Sequence, residues 1–525
     1  MLVIASELPP GPGGIGTHAY AVATELHRQG RQVTVLGSQH YVGDDERREF
    51  NAQSPVPVLP LPDAPDPVRT AFARASAIRT AIRETGPDVI VGSGGRLLWT
   101  VAPLARRARV PLVAVAHGTE LGWTGWKRRL TRRSFDAATA VVAVSEFTAR
   151  LTRDLGVTRS IDVIPNGADP QRFAPSTERR NRFRTRHHLS DRPVVLTVGN
   201  VTERKGQHRV VDALPLLVRS VPDVVYVVVG RPTTAAQLER RAERLGVSDH
   251  LMVLGQVDPE EVVDAHAAAD VFAMTSTSTG DGDVEGYGIA VVEAALSGVP
   301  AVVTRGTGAE EAVVDGTTGM AVEDVADAIA DALASLLTDT PRRHAMDAAA
   351  EATARSSGTW AHRAEEYGRV LDRTVSGGAP RIVVVSHTEH WRDDDGTVVG
   401  FGATTRELDQ LATLASELVH VAPLHPGPPP GMALPARAPN LRLSLVPSAG
   451  GHGLAAKATA LLTVPRWAWT INQEISKADV VHVRCPAGIS MVALAVLTLR
   501  RRPADRWVKY AGNWMPPQRD ALTYR

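Results

Sequence analysis

Val194-Val195-Leu196-Thr197-Val198-Gly199-Asn200-Val201-Thr202-Glu203-Arg204-Lys205-Gly206 is an aliphatic run that stops at a glycine and then turns through two adjacent cations. A strand apolar at nearly every position has both faces covered, the condition of a parallel sheet sandwiched between helices. The same pattern recurs on either side of it. Upstream lie Val33–Leu36, Val89–Val91, Leu112–Val115, Val141–Val144 and Ile161–Ile164; downstream lie Val224–Val229, Leu251–Leu254, Val271–Met274 and Ala301–Val303. Gly/Pro-punctuated loops and amphipathic stretches alternate with these runs, and Asp169–Pro175 separates the two series. The expectation is an α/β chain with two Rossmann-like domains, 1–170 and 171–375. The strands of the second occupy about 190–350, and a helical tail over Pro341–Arg373 follows.

After the breaker Ser376-Gly377-Gly378-Ala379-Pro380 the chain starts again. Ile382–Ser386 echoes Leu2–Ser6, Gly400-Phe401-Gly402 echoes Gly14-Ile15-Gly16, and Glu407-Leu408 echoes Glu25-Leu26. Ala478–Val481 echoes Pro87–Ile90, and Tyr510-Ala511-Gly512 echoes Ala116-His117-Gly118. Ordered matches at a near-constant offset mark an internal repeat. Residues 380–525 are therefore expected to form a third, partial Rossmann-like domain that copies only the first.

Composition narrows the function classes. With 525 residues the chain is too long for one core, and 43% apolar with 22% charged residues is ordinary for a globular protein. A net charge of +1 supplies no bulk attraction to nucleic acid, and no nucleic-acid partner is expected. The single cysteine, Cys485, permits no intrachain disulfide, so a reducing cytoplasm is the default and packing is its expected role. Met1–Glu7 reads as a buried strand and not as a leader peptide, because an acid follows at once and no basic start precedes it. The longest apolar run, Ile489–Leu499, falls short of the ~20 residues of a membrane span, so a soluble or at most peripheral protein is expected.

Three constellations carry chemistry. Gly11-Pro12-Gly13-Gly14-Ile15-Gly16 formally satisfies Gly-x-Gly-x-x-Gly, which raises a nicotinamide oxidoreductase. Glu7 to Pro10 separate these glycines from the strand, however, and the strand ending at Leu36-Gly37-Ser38 lacks the acid that would hold an adenosine ribose. What remains is a plain structural turn or a glycine loop whose helix N–H groups face a phosphate. Arg204 and Lys205 sit at a strand's C-terminal end, where paired cations can neutralise a pyrophosphate or simply form a solvated basic turn; only five of the 58 basic residues are lysines, so Lys205 stands out. In Glu285-Gly286-Tyr287-Gly288-Ile289-Ala290-Val291-Val292-Glu293, two acids bracket two bare backbone positions. Eight residues of helix would separate the acids by ~12 Å, somewhat altered by a loop at the start, which is comparable to the reach from a donor sugar's hydroxyls across a diphosphate to a ribose; a surface helix with unrelated acids is the alternative.

Together with His117-Gly118, Val144-Ser145, Pro165-Asn166-Gly167-Ala168-Asp169 and Asp315-Gly316-Thr317-Thr318-Gly319, these motifs stand in the order that resembles family-4 retaining glycosyltransferases. The resemblance covers about residues 1–375. It implies a GT-B fold of two facing Rossmann-like domains, the first for the acceptor and the second for the nucleotide sugar, with a tail that crosses back. It also implies roles. Lys205 and Arg204 would bind the diphosphate, and Glu293 the ribose. Glu285 would meet the donor-sugar hydroxyls, Gly14 and Gly16 the phosphate, and His117 the reacting centre. Gly286, Gly288 and Ile289 would offer backbone N–H groups to the donor. Many members carry arginine after the strand-end glycine, where this chain has Asn200. The function implied is retaining transfer of a sugar from a nucleotide diphosphate to an acceptor hydroxyl on a glycan, a lipid-linked sugar or a small molecule. No cofactor and no metal are expected. A non-catalytic nucleotide-sugar-binding scaffold is the rival from another class.

Two further features compete with that reading. Asp281-Gly282-Asp283 spells a metal-binding Asp-x-Asp, although the nearby cation pair already supplies charge neutralisation. Lys127-Arg128-Arg129-Leu130-Thr131-Arg132-Arg133, with Trp123 and Trp126 upstream, reads either as a solvated helix face or as a landing strip for an anionic membrane or lipid-linked acceptor.

Overall fold

The structure is a computed structural model of the 525-residue chain, describing residues 1–510 other than 12, 40–41, 64–65, 281, 376–379, 450–453, 486, 501–502 and 504. The chain divides into two compact units, Met1–Val375 and Ser376–Arg525.

Within the first unit a seven-stranded parallel sheet runs Val58–Pro60, Thr34–Gly37, Leu2–Ala5, Ile90–Ser93, Leu112–Ala116, Ala140–Ala143, Ile161–Val163 from edge to edge. A six-stranded parallel sheet runs Leu251–Gly255, Val225–Val229, Val194–Val198, Val271–Met274, Ala301–Thr304, Gly319–Val322. Both follow the Rossmann order, in which the direction of strand addition reverses beside the first strand. The aliphatic runs explain the layering. Leu2, Ile4, Leu36, Ile90 and Leu112 face one core, while Val3, Ala5, Val35, Val91 and Val113 face another on the opposite side of the same sheet. Each fully buried Val, Leu or Ile contributes roughly 1.5–3 kcal/mol, so a strand apolar on both faces belongs between two helix layers.

The expected single tail is two helices, Thr340–Ser357 and Trp360–Val375. The break lies where the chain returns to the first domain. There Ala168 N–H donates to Gly358 O (2.9 Å), and Trp360 N–H donates to Ala168 O (3.2 Å). Gly167 lies so close to this crossing that a β-carbon on it would sit 2.7 Å from the Thr359 carbonyl carbon. The motif Pro165–Asp169 thus earns part of its composition by seating the returning strand of chain. Trp360, Ala364, Tyr367 and Leu371, at helical spacing, then pack with Ala19, Val22 and Leu26 in the first domain's core.

In the second unit five parallel strands run Leu441–Pro447, Glu417–Leu424, Arg381–Val385, Val480–Cys485, Asp505–Tyr510. This is the order of the first five strands of the N-terminal sheet. The sheet is mixed, however, which the expectation of a simple copy did not include. His390–Arg392 pairs antiparallel with Val398–Phe401, which pairs antiparallel with Ala433–Pro435. The first two of these strands lie between Arg381–Val385 and the helix Gly402–Ala412, where the N-terminal domain has only a loop, and Ala433–Pro435 follows the strand Glu417–Leu424. Cys485 is buried in the apolar cluster of this sheet, consistent with packing. Ala511-Gly512 lies outside the described residues.

Candidate active site

Strand ends in the two domains of the first unit meet at one place. Glu203–Lys205 forms a single 3-10 turn after the strand Val194–Val198, and Gly206 follows it in a left-handed conformation (φ 71°). A side chain there would lie 1.7 Å from the Thr275 carbonyl oxygen, so this position demands glycine twice over. The turn delivers both cations to one carboxylate: Lys205 Nζ lies 2.7 Å from Glu285 Oε2, and Arg204 pairs with Glu285 through Nη1. Arg204 Nε also donates to Asp283 Oδ2 at 3.0 Å. Burial alone would raise the Glu285 pKa; Lys205 and Arg204 outweigh it and hold the carboxyl below its usual range. Burial opposes the charge on Arg204, and Glu285 and Asp283 more than compensate. The expected diphosphate ligands are thus gathered in one buried charge cluster.

Glu285 is on a loop and not on a helix. Gly288 takes φ 88° and the helix runs Ile289–Leu296, so Glu293 lies only four residues, ~6 Å of rise, into it. The ~12 Å helical separation read from the sequence is replaced by a loop followed by one turn of helix. Glu293 stands beside His266, with Oε2 3.6 Å from Nε2, and not in the cation cluster.

On the first domain's side, His117 follows the strand Leu112–Ala116 and Ser93 ends the neighbouring strand. Their side chains meet, Nε2 to Oγ, at 2.6 Å. Burial lowers the His117 pKa to about 4, so the ring is neutral near pH 7. Its backbone N–H donates to Glu120 Oε1 (2.7 Å), and burial raises the Glu120 pKa. The two domains touch here. A β-carbon on Gly286 would lie 1.9 Å from the His117 carbonyl oxygen, and Thr148 Oγ1 donates to the Gly286 carbonyl at 3.3 Å. Gly286 is therefore bare because another domain's backbone passes over it. Gly288 has its own reason, its positive φ.

The glycine loop of the first domain carries an internal anion. The helix Gly14–Arg28 starts after Gly13, and Gly16 N–H points at Glu7 Oε1, 3.4 Å away. A β-carbon on Gly16 would lie 2.8 Å from the Glu7 carbonyl oxygen, whereas Gly14 has open space around it. Pro12 lies outside the described residues. Asp281 does too, and Asp283 is committed to Arg204. Asn200 uses its carbonyl to accept from Gln207 Nε2 at 3.1 Å.

Sequence reading missed Ser93, Glu120, Asp283 as an arginine partner, and His266. Only Glu120 left a local signal, three residues after His117. The basic stretch is the helix Gly125–Asp136, with Thr131, Ser134 and Phe135 buried and Arg128, Arg129, Arg132 and Arg133 exposed. Trp126 is 65% exposed and lies 5.5 Å from Trp99, which donates to Thr131 Oγ1 at 3.1 Å. Among the described residues, no helix is long and apolar enough to cross a membrane.

Residues 12–172 match the family model described as Glycosyltransferase Family 4, and residues 178–353 match that of Glycosyl transferases group 1. The chain is 36% identical over 380 residues to a GDP-mannose-dependent alpha-(1-6)-phosphatidylinositol monomannoside mannosyltransferase of Mycolicibacterium smegmatis, covering 71% of this chain and 98% of that protein. It is 30% identical over 382 residues to a GDP-mannose-dependent monoacylated alpha-(1-6)-phosphatidylinositol monomannoside mannosyltransferase of Corynebacterium glutamicum, covering 70% and 97%. Among solved structures, Anabaena HepE in complex with UDP and glucose superposes with a TM-score of 0.61 at 22% identity, covering 71% of this chain and 99% of that one.

Proposed function

Because this chain belongs to the GT-B glycosyltransferases of family 4, and so transfers a sugar from a nucleotide donor to an acceptor, we propose a narrower activity for it. The donor is GDP-mannose, the acceptor is a lipid-linked sugar of the phosphatidylinositol mannoside kind, and the anomeric configuration is retained. The observation that carries this reading is the 36% identity that spans nearly the whole of a mannosyltransferase using that donor and acceptor. That span also disfavours the nicotinamide and scaffold readings.

The site's chemistry is consistent with the assignment. The donor diphosphate would take over Arg204 and Lys205, displacing Glu285 from its ion pairs. The freed Glu285 carboxylate would then accept hydrogen bonds from the sugar hydroxyls, and Glu293 would hold the ribose. Two cations fixed at the departing phosphate stabilise the charge that develops there, so we assign no metal to the step. Neutral His117 would face the reacting carbon from the acceptor side. Asn200 in place of the more usual arginine leaves Arg204 with a larger share of the diphosphate.

The acceptor's lipid gives the helix Gly125–Asp136 a role: four exposed arginines beside Trp126 match an anionic headgroup layer with an aromatic anchor. We infer a cytoplasmic protein held peripherally at the inner face of the membrane. The test is a donor screen across UDP-, GDP-, ADP- and dTDP-sugars on vesicles containing phosphatidylinositol mannoside, with and without EDTA. Turnover of GDP-mannose that survives chelation is expected. Turnover of another donor in its place would overturn the mannosyl assignment. Full loss on chelation, restored by magnesium or manganese, would overturn the metal-free one.

A further inference from the structure

His18 lies in the second turn of the helix Gly14–Arg28 and is 1% exposed. Its Nε2 is 3.0 Å from the hydroxyl of Tyr367, on the crossing-back helix 349 residues away in sequence. Its ring meets the His117 ring edge to face, with centroids 5.0 Å apart and planes at 81°. Trp360, also on the crossing-back helix, closes the other side at 5.8 Å. The His18 Nδ1 is buried and has no hydrogen-bond partner. Packing alone does not call for such a residue. An apolar pair, leucine at 18 with phenylalanine at 367, would fill the two buried slots without leaving a polar atom unsatisfied, as His18 Nδ1 is here. The polar pair stands against His117, whose carbonyl packs on Gly286 of the other domain.

We propose that His18 is a positioning residue for His117, and that Tyr367 holds it, so that the crossing-back helix sets the ring plane at the reacting centre. His117 is then fixed on two sides. Ser93 takes Nε2 at 2.6 Å, and the edge of His18 blocks rotation of the ring and keeps water from it. Any movement of Trp360–Val375 against the first domain would pass through Tyr367 and His18 to His117. The titratable groups against His117 are His18, whose ring it meets, and Glu120, which accepts its backbone N–H; Tyr367 lies behind His18, and Asp283 acts on Glu120. His18 and His117 are both held neutral by burial, so removing His18 re-admits solvent to His117 and should return its pKa toward 6.5.

The inference rests on His117 standing at the reacting centre, as proposed above, and the experiment separates the two claims. Full-length Tyr367→Phe and His18→Asn are compared with the parent for kcat, donor KM and the titration of the His117 ring by NMR of histidine-labelled protein. The signal is assigned with His117→Gln. Tyr367→Phe, which removes one oxygen, should lower kcat about tenfold and leave the KM for GDP-mannose within about twofold, the pattern of a misplaced group and not of lost binding. In His18→Asn the His117 ring should titrate one or more units above its place in the parent. The titration needs no substrate, so it stands even if the donor assignment fails. An unmoved His117 titration in folded His18→Asn, or unchanged kcat in Tyr367→Phe, would overturn the proposal.

Discussion

Glu285 is the residue on which the proposed site turns, because it pairs with both of the cations assigned to the donor diphosphate. A buried cation pair beside a diphosphate is worth far more than the same pair in water, and it loses most of that worth when one member goes. Lys205→Ala and Glu293→Ala are each expected to lower transfer at least ~100-fold, the scale of one lost preorganised contact. Near-parental turnover in folded Lys205→Ala would remove the diphosphate assignment. A second residue speaks about stability. Asp347 lies half-buried with Oδ1 unpartnered, and burial raises its pKa to about 7 against the ordinary 3.8. The folded state therefore binds the proton more tightly, and the stability this gives is complete below pH 3.8 and lost as pH rises through 7. Asp347→Asn should accordingly melt higher than the parent at pH 8, with the margin shrinking as pH falls toward 4, which a series of thermal scans would check. The sequence made Arg204, Lys205, Glu285 and Glu293 legible because each sits in a local motif. It hid His18 and Tyr367, whose meaning comes from a contact between distant stretches of chain.

At the scale of elements, the aliphatic strands were readable because burial on both faces leaves an unbroken apolar run. Their order in the sheet was not readable from the runs alone, because a right-handed crossover sets the hand of each connection and not which strands are neighbours. The glycines were readable as special but not for their actual reasons. Gly286 is bare for the carbonyl of His117, and Gly16 for that of Glu7; neither neighbour is visible from spacing. The expected continuous tail broke at Gly358-Thr359 because the chain must pair with Ala168 before it can pack as a helix on the first domain. The helix Gly125–Asp136 is the element whose two readings separate by experiment. Exposed arginines each contribute on the order of 1 kcal/mol at an anionic surface, an effect that salt screens. Reversing Arg129 and Arg133 to glutamate should abolish co-sedimentation with phosphatidylinositol-rich vesicles at low salt, while transfer to a water-soluble acceptor stays within about twofold. Unchanged sedimentation would return this helix to a solvated face.

The whole molecule poses the question of what residues 380–525 add. Their five parallel strands repeat the order of the first domain's sheet, which explains why the sequence echo could be followed from Leu2 against Ile382 through Asp88 against Asp479. The same echo could not show the antiparallel pairing of Val398–Phe401: Gly400-Phe401-Gly402 matches Gly14-Ile15-Gly16 in sequence, but Gly400 and Phe401 end a strand, whereas Gly14 and Ile15 already begin a helix. We expect this unit to be dispensable for chemistry in the first. A GT-B site needs two facing Rossmann-like domains, and Met1–Val375 contains both, with the cation cluster, Glu285, Glu293 and His117 all inside it. The mannosyltransferase of Mycolicibacterium smegmatis supports this from another direction, since 71% of this chain accounts for 98% of its length. In residues 380–525 no basic pair precedes a glycine as in Arg204-Lys205-Gly206, no Glu-x₇-Glu spans a glycine-rich helix start, and alanine replaces the histidine of His117-Gly118 at Ala511. We therefore expect residues 380–525 to bind no nucleotide sugar, and propose docking or acceptor handling as their role. Expressing residues 1–378 and comparing kcat and KM with the full chain on one donor and one acceptor decides the matter. Equal constants are expected, with any difference confined to acceptor KM or vesicle binding. A collapse of kcat in a truncation that melts cooperatively would mean that the repeat completes the first active site.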